Sequence, residues 1–294
     1  MNAKQRKDAC WYALFTGPTV FVFLTVVIIP FIIGIYYSFF SWDGIPLNPK
    51  ILVGFGNYIK LFGDARFIRS GGLTICFTLM TVIITNVAGL FLAIIVTAPL
   101  KTGNLARTMF FAPHLIGGLL LGFIWNFIFT DVFKALGRIS GMEKLFFNWL
   151  IDPAFAMYAL VIVNAWRMSG YVMIIYIAGI QNIPIDVLEA ASIDGANYRT
   201  RLVRIVMPLL VPSFTIAFFL TISNAFKIYD VNLSLTNGGP SMSTELFAMN
   251  IYMEIFKSNN FGYGQSKAIV FFLFVAAISV LQTYITKKRE VEMQ

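Results

Sequence analysis

Charged residues are unusually scarce in this sequence. Asp, Glu, Lys and Arg make up 12% of its 294 residues, whereas 58% are hydrophobic and 30 are Phe. An ordinary soluble domain carries roughly 25% charged residues. A water-soluble core of this size has no room for so much apolar surface. The composition therefore excludes a soluble globular protein and predicts an integral membrane protein.

Cysteine and histidine are also scarce, which removes several kinds of site. Cys10 and Cys76 stand far apart without a CxxC pattern, so we expect no disulfide framework and no metal site. His114 is the one histidine and is expected to be packed or interfacial. The sequence has no HExxH, no Gly-rich phosphate loop and no pair of carboxylates in an apolar run. We therefore expect no catalytic residue and no cofactor on this chain.

Six continuously apolar stretches are long enough to cross a bilayer as helices, which takes about 20 residues each. Their continuity favours helices over the alternating pattern of a barrel. The sequence therefore predicts one all-α, polytopic transmembrane domain over 1–294. The predicted spans are 11–40, 72–98, 108–130, 155–180, 208–231 and 265–286. The first is too long for a signal peptide and is interpreted as an uncleaved span.

The Lys and Arg residues predict the orientation of these spans. With the N-terminus inside, the inner segments carry eleven of them and the outer loops eight, although the inner segments are shorter. The eleven are Lys4, Arg6, Lys7, Lys101, Arg107, Arg199, Arg201, Arg204, Lys287, Lys288 and Arg289. Cytoplasmic segments are enriched in Lys and Arg, so both termini are expected in the cytoplasm. Because the net charge of +8 is spread over loops and tails, no nucleic acid partner is expected.

Three outer segments combine apolar residues at helical spacing with turn residues: 54–67, 130–153 and 235–256. One interpretation is interfacial packing at the lipid boundary. The other is a docking surface for an external partner. The sequence leaves both open.

Between the fourth and fifth spans the chain turns polar, in "EAASIDGANYRTRLVRIVMP". Pro184 suits the first turn of a helix, and Ala190 and Ala191 favour its continuation. Asp194-Gly195 then predicts its end, with Gly195 as the left-handed residue that caps a helix. The N-in orientation places this loop, 182–207, in the cytoplasm. A hairpin held by anionic lipid through its arginines is the plain alternative.

This stretch resembles the signature of the permease subunits of binding-protein-dependent ABC importers: Glu-Ala-Ala, three residues, Gly, nine residues, then Ile-x-Leu-Pro. Here Glu189-Ala190-Ala191 and Gly195 lead to Ile205-Val206-Met207-Pro208, with Met207 in place of Leu. Further segments resemble the MalF-like carbohydrate-uptake branch in its order and cover nearly the whole chain. They read NYIKLFGDARF, FFAPHLIGGLLLGFIWNFIF, NAWRMSGYVMIIYIAGIQNIP, AFKIYDVNLSLTNGGP and FGYGQSKAIVFFLF.

The resemblance implies a type I importer permease fold in a bacterial cytoplasmic membrane. It implies that the loop is a coupling helix seated on a cytoplasmic ATPase, through Glu189, Ala190, Ala191, Asp194, Gly195 and Arg199. It also implies a second homologous permease, two ATPase subunits that bind ATP and Mg, an extracytoplasmic solute-binding protein and a sugar or oligosaccharide as cargo. This chain would form half of the pathway and have no ATPase site of its own.

Aligning the same motifs places the cargo pathway on the spans that flank the loop. The implied residues are Arg167, Met168, Tyr171, Asn224, Lys227 and Ile228. Asn164, Trp166 and Tyr229 would add hydrogen-bonding groups and aromatic surface. Charges inside spans are costly and rarely face lipid, which supports Arg167 and Lys227. Alternatively, Lys227 pairs with Asp230 three residues on, and Arg167 extends its charged end to the outer interface.

A secondary transporter or channel, independent of ATP, is the alternative function. It would need a site for a coupling ion, which is typically built from intramembrane carboxylates. Asp230 is the one carboxylate that the predicted spans offer.

Overall fold

A computed structural model describes residues 3–98 and 102–291. Lys101, which the sequence assigns to an inner segment, lies outside the described residues. Helices dominate, and the all-α prediction is confirmed. The α-helices are α1 Ala3–Phe23, α2 Ile29–Ser38, α3 Gly56–Phe62, α4 Ala65–Thr97, α5 Gly103–Leu115, α6 Gly118–Phe127, α7 Phe133–Ser140, α8 Pro153–Gln181, α9 Ile185–Ile193, α10 Tyr198–Arg201, α11 Met207–Leu209, α12 Val211–Phe226, α13 Asp230–Leu235, α14 Phe247–Tyr252 and α15 Phe261–Val291.

Shorter elements connect or extend these helices. In the part of the chain that the structure describes, single π-helical turns are inserted at Leu24–Ile28, Ile128–Val132, Leu202–Val206 and Met253–Lys257, and a 3-10 turn covers Trp149–Ile151. The strands β1 Phe40–Ser41 and β2 Ile51–Leu52 pair antiparallel. The chain divides into two compact units: 1–64 with 251–272, and 65–250 with 273–294. The three segments that the sequence predicts to lie outside, 54–67, 130–153 and 235–256, contain α3, α7 and α14.

Five stretches of helix in the described residues are long and apolar enough to cross a membrane. They are Leu14–Ser38, Ala65–Thr97, Gly118–Ser140, Pro153–Gln181 and Phe261–Lys288. A sixth span exists if Tyr198–Leu209 and Val211–Phe226, bent by 64°, count as one. Hydrogen bonds brace this bend, because the Leu210 N–H donates to Val206 at 3.0 Å and its carbonyl accepts from Phe214 at 2.9 Å.

The predicted third span, 108–130, straddles a break in the helix. α5 ends at Leu115, Ile116 and Gly117 are extended, and α6 begins at Gly118. Pro113 contributes no backbone N–H, and glycine is a poor helix former, so two weak points meet here. The apolar helix then continues through α6 and a π turn to Ser140 at the end of α7.

The core of the larger unit lies along α8. Two clusters of buried apolar side chains share it, one around Phe77, Leu160 and Leu246, the other around Val172 and Tyr176. Gly170 lets α5 approach α8 closely. A Cβ at Gly170 would lie 1.9 Å from the carbonyl oxygen of Phe110, so no other residue fits there without displacing backbone. This crossing positions α5 beside the middle of α8.

The smaller unit contains a fully buried lysine. Lys267 on α15 has no exposed surface, and its Nζ lies 2.8 Å from carboxylate oxygens of both Asp64 and Glu254. The Tyr263 hydroxyl donates to Asp64 at 2.9 Å, and Asn260 Nδ2 donates to Glu254 at 2.8 Å. The buried charge is therefore paired twice, which a lysine in such a place requires.

Candidate functional site

All six residues of the implied pathway line one cavity of about 380 Å³. Arg167, Met168 and Tyr171 project from neighbouring turns of α8, Asn224 from the last turn of α12, and Lys227 and Ile228 from the segment just beyond it. We call this space the α8–α12 cavity. The structure thus brings together residues that are more than fifty positions apart in the sequence.

Lys227 reaches the cavity in a different way from the one the sequence predicts. The fifth span was expected to continue as a helix to residue 231, with Lys227 one turn beyond Asn224. This is wrong, because α12 ends at Phe226 and Tyr229 has left the helical region, with φ −135° and ψ −53°. Ala225, Ile228 and Val231, on both sides of this break, are buried in the same apolar cluster.

The ion pairing also differs from the helical alternative. Asp230 begins α13, and its Oδ2 lies 3.6 Å from an Arg167 guanidinium nitrogen. Within the described part of the chain, Lys227 forms no ion pair. Arg167 is therefore held by a carboxylate and not merely extended to an interface. Lys227 remains as a cation at the cavity wall without a counterion from this chain's described residues.

Asp230 reaches its position because a glycine lies opposite. A Cβ built on Gly118 would lie 1.8 Å from Asp230 Oδ2, so the carboxylate packs directly against the backbone of α6. Ser234 on α13 packs against Gly122 one turn later in the same manner. The glycines that start α6 thus set how near the carboxylate comes to Arg167.

His114 is a cavity residue that sequence reasoning missed. Its ring stacks on Tyr171, with centroids 4.6 Å apart and planes 17° from parallel. Ser223 and Asp230 also line the cavity. No local signal marks His114, because its place depends on the close crossing of α5 and α8. Asn164, Trp166 and Tyr229, which were expected to add to the pathway, do not line the cavity. Trp166 packs on Trp125, and Asn164 is buried.

Three buried polar atoms at this cavity have no hydrogen-bond partner within the described residues. They are His114 Nδ1, Arg167 Nε and Asn224 Oδ1. Buried polar atoms in proteins are nearly always paired, so each such atom calls for an explanation. All three atoms belong to residues that line the α8–α12 cavity.

The polar stretch after α8 forms a helix, a tight turn and a second helix. α9 ends at Ile193, and Gly195 has φ +78°, the left-handed conformation that the sequence predicts. The Ala196 N–H donates to the Ala191 carbonyl at 2.9 Å, which closes the helix end. Asn197 then caps α10 by accepting from the Thr200 N–H at 2.9 Å. We call residues 185–201 the α9–α10 segment.

Most of the implied coupling residues lie on the surface of this segment. Glu189, Ala190, Asp194, Gly195 and Arg199 are exposed, and Ala191 is buried. Ile193 is 87% exposed at the end of α9, an unusual place for a large apolar side chain. Arg201 donates to the Ser192 hydroxyl at 2.8 Å and ties the two helices together. The segment therefore presents a braced surface with an apolar tip.

Metal chemistry has no visible support in the described ranges 3–98 and 102–291. They contain no group of three or more His, Cys, Asp or Glu side chains that could hold an ion.

Comparison with known proteins finds membrane components of transport systems. A family model described as "Binding-protein-dependent transport system inner membrane component" matches residues 85–291. The chain is 47% identical over 292 residues, 99% of each chain, to the probable starch degradation products transport system permease protein AmyD of Thermoanaerobacterium thermosulfurigenes. It is 32% identical to the multiple sugar-binding transport system permease protein MsmF of Streptococcus mutans, covering 89% of this chain and 90% of that one.

A solved structure shares the fold. It is a bacterial alginate ABC transporter in complex with alginate pentasaccharide-bound periplasmic protein. The TM-score is 0.81 at 19% identity, with 96% of both chains covered.

Proposed function

The chain belongs to the family of binding-protein-dependent transport system inner membrane components, and we propose on that premise that it is the permease subunit of an ATP-driven sugar or oligosaccharide importer. The observation that carries the proposal is the α8–α12 cavity, whose lining includes the polar side chains of Arg167, Asn224 and Lys227. Sugar hydroxyls both donate and accept hydrogen bonds, so they suit a donor nitrogen and an acceptor oxygen at one site.

Relatives support the class of cargo. AmyD is named a probable starch degradation products transport system permease protein, and MsmF a multiple sugar-binding transport system permease protein. The stacked rings of His114 and Tyr171 give the cavity an aromatic wall, and such surfaces suit the apolar faces of sugar rings. We propose that this chain and its partners together determine which sugar is transported.

Coupling is proposed to run through the α9–α10 segment. α8 carries Arg167 and Tyr171 at the cavity and ends at Gln181, four residues before α9 begins. The chain returns to the cavity through α10, α11 and α12. A partner that moves the segment therefore acts on both walls of the cavity through short, hydrogen-bonded connections.

The remaining machinery is assigned to other chains. The sequence contains no Gly-rich phosphate loop, so ATP and Mg are proposed to bind two cytoplasmic ATPase subunits. A second homologous permease forms the other half of the pathway. An extracytoplasmic solute-binding protein delivers the cargo, as a periplasmic protein is bound to the alginate transporter.

The proposal places the chain in the bacterial cytoplasmic membrane with both termini inside. Single cysteines at positions 47 and 200, in a background without Cys10 and Cys76, test this orientation. Leu47 is 96% exposed, so its replacement is readily accessible. We expect an impermeant thiol reagent added to intact cells to label position 47 and to label position 200 only after lysis. Labelling of position 200 in intact cells would show that the orientation is inverted.

Lys227 offers a test of the cavity. Because Asp230 pairs with Arg167, replacing Lys227 leaves no described carboxylate without its partner. We expect Lys227→Gln to raise the sugar concentration for half-maximal uptake by roughly tenfold, since hydrogen bonds to charged groups contribute about 1.5–3 kcal/mol. Assembly and basal ATPase activity of the complex should be unchanged, as should uptake by the exposed-site control Lys134→Gln. Normal uptake kinetics in Lys227→Gln would remove this residue from the pathway.

The function as a whole is tested by isolation of the complex. We expect the tagged chain to copurify with an ATPase subunit and a second permease, and proteoliposomes to take up labelled oligosaccharide only with ATP and the binding protein. Uptake by this chain alone, driven by an ion gradient, would instead establish a secondary transporter.

A further inference from the structure

A second polar pocket lies within the unit formed by residues 1–64 and 251–272. It encloses about 350 Å³ and shares no residue with the α8–α12 cavity. Ligand pockets typically hold roughly 300–1,000 Å³, so this one suits a ligand of one or two rings. The groups that matter for its chemistry belong to Trp42, Asp43, Asn57, Lys60, Asn260 and Tyr263. We call it the Trp42–Tyr263 pocket.

The floor of this pocket is buried and fixed. Asn57 is 8% exposed, and its Nδ2 donates to the carbonyl oxygens of Ser38 at 2.7 Å and Phe40 at 3.0 Å. Both amide hydrogens are thus used by the backbone. The Asn57 Oδ1 atom, which has no hydrogen bond to the described residues, remains as an acceptor.

Buried ion pairs hold two further walls in place. Tyr263 is 6% exposed, and its hydroxyl donates to Asp64, while Asn260 donates to Glu254. Both carboxylates are bound by Lys267. The Tyr263 ring and the Asn260 amide are therefore oriented by a network beneath the pocket. Such prior orientation reduces the entropy lost when a ligand binds.

The lining contains two charged side chains of opposite sign, Asp43 and Lys60. Asp43 accepts from the Ile45 N–H at 2.9 Å and from the Asn48 amide, and these hydrogen bonds lower the pKa of its carboxyl. It is therefore ionised at neutral pH. The Lys60 ammonium lies 4.4 Å from the Tyr263 ring centroid. This carboxylate can accept hydrogen bonds from hydroxyl groups, and this ammonium can donate to them.

We propose that the Trp42–Tyr263 pocket is a subsite for a neutral saccharide on the outer side of the membrane. Asp43 and the Asn57 amide oxygen accept from sugar hydroxyls, Lys60 donates to them, and Trp42 contributes apolar surface. This inference rests on the proposed function, because it needs a saccharide cargo and an outward-facing 45–65 loop.

The test measures binding of radiolabelled maltotriose to the purified complex in nanodiscs, without binding protein or nucleotide. We expect saturable binding that Asp43→Asn and Lys60→Gln each weaken by about tenfold, as the loss of a charged hydrogen bond does. The exposed matched controls Asp131→Asn and Lys134→Gln should bind like the unmodified complex. Saturating maltotriose should also protect Lys60, and not Lys134, from acetylation.

The outcomes separate this inference from the proposed function. Oligosaccharide uptake by the unmodified complex, with equal maltotriose affinity in all variants and no protection of Lys60, would overturn the subsite and leave the function standing. Weaker docking of the binding protein in Asp43→Asn, with maltotriose binding unaltered, would make the pocket a protein contact and also overturn it. If the unmodified complex takes up no saccharide, the proposed function itself fails, and the subsite with it.

Discussion

Replacing Gly195 by Val is expected to abolish uptake while the protein still inserts into the membrane. Gly195 has φ +78°, and a left-handed conformation costs an L-residue about 1–2 kcal/mol, with β-branched residues least tolerant. Relief of that strain moves the turn between α9 and α10 and displaces Glu189 and Arg199 relative to each other. Uptake and sugar-stimulated ATPase activity, measured in proteoliposomes of the complex, should both fall more than tenfold.

Gly141 provides a matched control for this substitution. It also has a positive φ, +69°, also follows the end of a helix, and like Gly195 has open space where a Cβ would lie. Gly141→Val therefore introduces comparable strain at a different place. We expect it to retain most of the uptake, and Gly195→Asn to do so as well, because Asn tolerates this conformation. Normal ATPase stimulation in Gly195→Val would show that the turn has no role in coupling.

Replacing Lys267 by Met is expected to destabilise the protein severely. The change leaves Asp64 and Glu254 side by side, largely buried and without their common cation. Removing one partner of a buried ion pair costs about 3–5 kcal/mol. In detergent, the fraction that survives heating as a monodisperse peak in size-exclusion chromatography should fall at markedly lower temperature than for the unmodified protein.

A compensated variant distinguishes charge from packing in that result. Lys267→Met combined with Asp64→Asn and Glu254→Gln removes all three charges, so we expect it to recover most of the lost stability. Lys227→Met, at an exposed lysine that has no ion pair with the described residues, should melt like the unmodified protein. If Lys267→Met alone has an unchanged melting temperature, the buried network contributes nothing to stability.

Long apolar runs made most of the helices predictable, because a chain in lipid must pair its own backbone groups. The turn of the α9–α10 segment was equally accessible, since Asp194-Gly195 is a local signal. The end of α12 was not. Lys227, Ile228 and Tyr229 contain no helix breaker, and Ala225 and Ile228 on either side of the end are buried in a core built by distant segments.

The cavity residues were predictable in part from the family resemblance, and not from helical periodicity or charge. Resemblance placed Arg167, Tyr171 and Asn224 together, whereas periodicity offered, as an alternative, a pair between Lys227 and Asp230. In the structure, Asp230 pairs with Arg167, which is 63 positions away in the sequence. The Asp230 carboxylate reaches Arg167 because Gly118, which has no side chain, leaves room for it. His114 was missed for the same reason. Pairings made by tertiary contacts leave no trace in local spacing.

The bend at Leu210 has a mechanical consequence. A straight helix pushed at one end delivers thrust along its axis, whereas a bent rod that keeps its angle also delivers torque. The 64° bend between α11 and α12 is spanned by hydrogen bonds on both sides of Leu210, so it acts as a rigid bend and not as a hinge. A load applied at α10 would therefore swing Asn224 across the cavity wall as well as shift it. A small displacement of α10 would therefore become a sideways displacement at the other end of α12.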